Sequence, residues 1–155
     1  MIKHIVYAFQ SQNYPGKCLH EAKKRYFNLA QSGTITLKEH LTVFNNLVDV
    51  LEQSGGNIDN DICMERYVLG GRDKNTMSPE ELRVLKDDVR NRLLGTAFMM
   101  TCDRVRFGKY IEEGIHNDYL EGNNLYPTSR ADAFHRLPNY QNNPRLGQRK
   151  VGGEG

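Results

Sequence analysis

Residues 78–100 read SPEELRVLKDDVRNRLLGTAFMM, and three signals at the start of this stretch agree. Ser78 is an N-cap residue, Pro79 suits the first helical position, and Glu81 stands where a capping-box carboxylate reaches back to the cap. Beyond them Leu82, Leu85, Val89, Leu93, Ala97 and Met100 recur at helical spacing, and Leu94 and Phe98 widen the stripe. The spacing predicts one long amphipathic helix, with Gly95 as a point where it can bend. No other stretch of the chain alternates apolar and polar residues in the period of a strand, so the class is all-α, with about six helices.

Working outward, the first residues place Ile2, Ile5, Val6 and Phe9 on one helical stripe, which the cluster Asn13-Tyr14-Pro15-Gly16 is expected to stop. Leu19, Ala22, Tyr26 and Leu29 mark a second helix over 17–29, ended by Gln31-Ser32-Gly33. Thr36 and Glu39 form a capping box that opens a third. Its inward face is Leu37, Leu41, Phe44, Val48 and Leu51, and Ser54-Gly55-Gly56 stops it. Asp59 or Asn60 is expected to cap a shorter helix through Ile62, Met64 and Val68, closed by Gly70-Gly71, with a loop over 72–77. After the long helix, 104–120 reads as another, with Phe107, Ile111, Ile115 and Tyr119 inward. Gly122 to Pro127 connects it to a last helix capped by Thr128 or Ser129 and carrying Ala131, Phe134 and Leu137. From Gln141 the sequence offers almost nothing to bury, so a flexible tail is expected over 141–155. The organisation expected is 1–33 as amino-terminal helices, 34–140 as a helical lobe, and 141–155 as the basic tail.

At 155 residues the chain is long enough to bury a core without staples. Its 21 Lys and Arg against 19 Asp and Glu leave a formal charge of +2, too little for a chain dedicated throughout to nucleic acid. RNA contact is therefore expected to be local: at Lys23, Lys24 and Arg25, at a second cluster of Arg104, Arg106 and Lys109, and in the tail at Arg145, Arg149 and Lys150. Cys18, Cys63 and Cys102 are odd in number and form no C-x-x-C, which argues against a disulfide framework and a zinc site. They are expected as reduced, mostly buried thiols. Neither a signal peptide nor an apolar run of membrane-spanning length is present, and an intracellular, cytoplasmic protein without membrane partners is expected.

Chemistry is sparsely announced. Cys18 and His20 are two residues apart and would point to different faces of a helix. Glu113-x-x-His116 and Asp132-x-x-His135 have the spacing of carboxylate-bridged metal bundles, but the further inward carboxylates such sites need are missing. Gly55-Gly56 and Gly70-Gly71 lack the lysine and hydroxyl of a phosphate loop and are read as turns. No catalytic residue, metal, cofactor or small-molecule substrate is expected.

Two blocks carry a resemblance. Residues 19–56, LHEAKKRYFNLAQSGTITLKEHLTVFNNLVDVLEQSGG, and 95–140, GTAFMMTCDRVRFGKYIEEGIHNDYLEGNNLYPTSRADAFHRLPNY, resemble the capsid region of Gag polyproteins of copia-like LTR retrotransposons, especially those of diatoms and related algae. Gln31, Gly33, Glu39 and Phe44 look like that family's major homology region, which ties a turn to a helix. The resemblance implies an all-α capsid-type bundle without an active site. It would self-assemble into oligomers or virus-like particles and package RNA of its own element. Family members commonly carry a zinc knuckle beyond the capsid, and no such motif occurs in these residues, so RNA binding is expected from the basic residues alone. Tyr67, Tyr126 and Tyr140 are the expected assembly contacts. The competing expectation is a monomeric helical adaptor or nucleic-acid-binding module, host-adopted from Gag.

Overall fold

The computed structural model describes residues 14–137, which are all-helical: six helices and no strand among the described residues. They are α1 (Pro15–Asn28), α2 (Leu37–Gln53), α3 (Ile62–Leu69), α4 (Pro79–Thr101), α5 and α6 (Arg130–Arg136). Helix α5 runs through three consecutive segments, Arg104–Lys109, Tyr110–His116 and Asn117–Leu120, of which the middle one winds in wide π-type turns. The stripe Ile2, Ile5, Val6 and Phe9, the residue Tyr140 and the tail with Arg145, Arg149 and Lys150 lie outside the described residues. Two compact units interleave along the chain, one of residues 1–29 and 42–57, the other of 30–41 and 58–155.

In the first unit, Pro15 sits in the first turn of α1, so the Tyr14-Pro15-Gly16 cluster starts this helix rather than stopping the one before it. Ala22 and Tyr26 are buried, and Tyr26 meets the buried Phe44 with ring centroids 5.8 Å apart. The helix ends at Asn28, so Gln31 lies beyond it. The α2 residues Phe44, Val48 and Leu51 are buried as the spacing predicts. Gly56 N–H donates to Leu51 O and Gly55 N–H to Glu52 O, with Gly55 at φ +92°, the paired bonds of a Schellman stop.

The second unit is organised around α4. Its capping box forms as predicted: Ser78 Oγ accepts from Glu81 N–H at 3.2 Å, and Glu81 Oε2 from Ser78 N–H at 2.9 Å. Leu85 and Val89 are buried, and then the buried face broadens, taking in Leu94, Gly95, Phe98 and Met99. A helix enclosed on most sides departs from a single stripe, and Met100, placed on the stripe, is exposed. Both α3 and α6 pack on α4. Gly95 does not serve as a hinge in this arrangement. It lets the α6 start come close, because a Cβ built there would lie 2.5 Å from Ser129 O.

A buried polar cluster fastens the segment before α2 to the corner between α4 and α5. Gln31 N–H donates to Thr101 O at 2.8 Å, and the Gln31 side-chain oxygen accepts from Asp103 N–H at 2.9 Å. Arg106 Nε pairs with Asp103 Oδ2 at 2.9 Å, while its Nη2 donates to Ile35 O at 2.7 Å and Ser32 O at 3.2 Å. His40 is fully buried and stacks on Phe98. Its Nε2 lies 2.8 Å from Thr101 Oγ1, whose own proton goes to Phe98 O, so Nε2 is the donor and Nδ1 is left without a partner among the described residues. Burial, with Arg106 adding to it, lowers the His40 pKa to about 4.

Candidate assembly groove

Sequence spacing puts Ile62, Met64 and Val68 on an inward face of α3, yet the helix buries none of its residues, and Ile62 is 73% exposed. The helix is short and edge-mounted, so its apolar residues line a surface instead of filling a core. Its cap is Asp61, whose Oδ1 accepts from Met64 N–H at 2.7 Å, one residue later than predicted. Gly70, at φ +57°, closes it in the left-handed conformation. Packed on α4, α3 presents Met64 and Tyr67 beside Leu93 and Thr96.

The opposite wall comes from the end of α5 and the following loop. Phe107, Ile111 and Ile115 are buried at four-residue intervals. In an α-helix such spacing drifts by about 40° per step, and the wider turns of Tyr110–His116 hold more residues each, which offsets the drift. Winding then returns to normal and Tyr119, predicted to face inward, emerges 45% exposed. Gly122 N–H donates to Tyr119 O and Asn123 N–H to Asp118 O, with Gly122 at φ +96°, a second Schellman stop.

The loop is then pinned by polar contacts. Asn124 Oδ1 accepts from Tyr126 N–H at 3.1 Å, and its Nδ2 donates to Tyr67 OH at 2.6 Å. Tyr126 OH lies 3.1 Å from His116 Nδ1 and its ring meets Tyr119 edge-on, with centroids 5.5 Å apart. Pro127 is buried, and Ser129 caps α6 through Asp132 N–H at 3.0 Å. Partial burial works to raise the Asp132 pKa, but Thr128 N–H and the Arg136 guanidinium outweigh it and hold the carboxylate below its ordinary value. In α6 Ala133 and Leu137 are buried, whereas Ala131, expected inward, is exposed.

Between these walls lies a groove of about 360 Å³ lined chiefly by Met64, Tyr67, Leu93, Tyr119 and Tyr126, with Asp61 and Arg92 as its only charged lining. Arg92 is already paired with Asp88 at 2.8 Å. Two of the three tyrosines expected as assembly contacts, Tyr67 and Tyr126, therefore share one surface and are joined through Asn124. Tyr119 completes it and was assigned by its spacing to the core. The signal that it belongs here is the Glu121-Gly122-Asn123 stop directly after it.

The other candidate residues separate. Lys23, Lys24 and Arg25 are exposed on α1 and pair with no acid among the described residues. Arg104 is exposed but bound to Glu112 at 2.7 Å, and Lys109 stands 3.9 Å from Glu113. Arg106 is buried with Asp103 and cannot meet a phosphate, which corrects its place in the second basic cluster. Of the major-homology-like residues, Gln31 and Phe44 are buried, Glu39 closes the capping box with Thr36 N–H at 2.7 Å, and Gly33 lies in the turn between. Cys102 is buried, its pKa raised to about 12 by desolvation, but Cys63 is exposed, contrary to the expectation of buried thiols. Glu113, His116, Asp132 and His135 build no metal cluster; no group of three His, Cys, Asp or Glu side chains suited to a metal ion occurs among the described residues. No described helix is long and apolar enough to cross a membrane. No family model, no curated protein and no solved structure matches the chain.

Proposed function

We propose that this chain is a structural protein of Gag capsid type, one that self-associates into oligomers or shells, encloses RNA and performs no catalysis. The observation that carries the reading is the neutral, tyrosine-lined groove formed by α3, α4 and the loop after α5. Shell subunits work through modest, repeated contacts, since symmetric multiplication turns weak interfaces into a stable assembly that still forms reversibly. Rigid aromatic side chains on an exposed, largely apolar surface suit that use. The unpaired cations Lys23, Lys24 and Arg25 on α1 supply a place for RNA phosphates. That same run favours the second reading, a monomeric helical module that binds nucleic acid.

Light-scattering mass over a wide concentration range, at low and high salt and with or without RNA, tests the proposal. Growth beyond 17.8 kDa with concentration supports assembly. In that regime Tyr67→Ala and Tyr126→Ala weaken association by about tenfold or more, as expected of aromatic groups central to an interface, without loss of the folded state. A 17.8 kDa species throughout, with or without RNA, overturns it and leaves the monomeric module.

A further inference from the structure

We infer that the groove receives the apolar stripe Ile2, Ile5, Val6 and Phe9 of a second copy of this chain, an inference that rests on the self-association reading. The groove is walled by Met64, Tyr67, Leu93, Tyr119 and Tyr126, and its 360 Å³ is of the size that takes a few buried side chains. Its charge selects against a phosphate backbone. Arg92 is neutralised by Asp88, and Asp61, whose carboxylate caps α3, pairs with no cation among the described residues. An occupant with an apolar face and a positive charge beside it is therefore favoured over a polyanion.

The sequence contains such an occupant. Ile2, Ile5, Val6 and Phe9 fall at i, i+3, i+4 and i+7, and Lys3 adjoins the stripe while no acid occurs in residues 1–13. An amphipathic segment of this pattern needs an apolar groove to cover it, the mode in which helices commonly dock on partners. Thirteen residues precede Tyr14, the first described. Wound as a helix they measure about 20 Å, and extended about twice that, enough to project onto a neighbour. Stripe and groove are different surfaces, so the contact is head-to-tail, and repetition of such a contact closes a ring or propagates a larger assembly.

The test uses full-length chains. One variant, Ile5→Glu with Phe9→Glu, breaks the stripe; another, Tyr67→Glu, charges the groove at an exposed position. Each alone is expected to stay at 17.8 kDa where wild type assembles, and their mixture to form a one-to-one dimer through the one intact stripe and the one intact groove. A synthetic peptide of residues 1–13 titrated into the stripe variant is expected to shift the Met64 methyl resonance, and Lys3→Glu in the peptide to weaken binding about two- to fivefold, as loss of a surface ion pair implies. If wild type assembles and the stripe variant assembles equally well, the inference is overturned while the shell reading stands. If wild type stays monomeric, the shell reading falls, and the titration decides alone: a Met64 shift sustains the pairing of stripe and groove, and its absence overturns it. Displacement of the peptide by a single-stranded oligonucleotide assigns the groove to RNA and overturns the inference.

Discussion

The side-chain oxygen of Gln31 accepts the backbone N–H of Asp103 at 2.9 Å, across 72 residues of sequence. Both groups are buried, so the bond has no water to replace it, and an orphaned buried donor costs about 1–3 kcal/mol. Gln31→Met, close in shape but without the acceptor, is expected to lower unfolding stability by that amount in urea denaturation. A change under about 0.5 kcal/mol, the usual effect of a surface substitution, would show that the bond is dispensable.

Arg106 answers a related question about charge. It is the counter-ion of buried Asp103 and the donor to two carbonyls, Ser32 O and Ile35 O. Arg106→Met leaves the carboxylate uncompensated, and a loss of about 3–5 kcal/mol is expected. Arg104→Ala and Lys109→Ala, at exposed positions, should stay within about 0.5 kcal/mol of wild type. If Arg106→Met instead weakens RNA binding and spares stability, the side chain is not held as described.

His40 predicts a pH dependence. Burial favours its neutral form, so the folded-state pKa of about 4 lies below the ordinary 6.5. Between those values the unfolded chain binds more protons, and stability therefore rises with pH. The His40 contribution is complete above about pH 6.5 and is lost as pH falls toward 4, by up to about 3 kcal/mol. In His40→Phe this loss should be absent, which denaturation at a series of pH values will reveal. Parallel curves for the two chains would refute the assignment.

Gly95→Ala is expected to destabilise, although alanine is ordinarily the better helix former by about 1 kcal/mol. The added methyl would stand 2.5 Å from Ser129 O, and backbone cannot yield as a flexible side chain can. A net loss of about 1–3 kcal/mol, typical of overpacking, is expected in thermal or urea unfolding. A stabilised variant would mean that α6 does not sit so close to α4.

What could be read in the sequence was local. The capping boxes of Thr36–Glu39 and Ser78–Glu81 involve residues three apart, and the stops at Gly55, Gly70 and Gly122 involve residues up to five apart, so composition announces them. The buried faces of α2 and of Phe107, Ile111 and Ile115 followed from periodicity. The misreadings share another cause. Arg106 looks like a surface cation until Asp103 and the carbonyls of 32 and 35 are brought to it, and Ile62 looks like core until α3 proves too short and too peripheral to cover it. Tyr67 and Tyr126 were picked out singly as contact residues. Their meeting through Asn124 depends on a 57-residue separation that spacing does not encode.

The wide turns of Tyr110–His116 give the helix a frame-shift reserve. Deleting one residue within them would let the segment relax toward ordinary winding, and inserting one elsewhere in 104–120 could be absorbed only by a similar bulge. Either event rotates everything downstream by about 100° per residue. Tyr119 would then turn away from Tyr126 while the buried trio before it kept its seats, so the length of this one stretch sets the aim of the groove independently of the core that supports it.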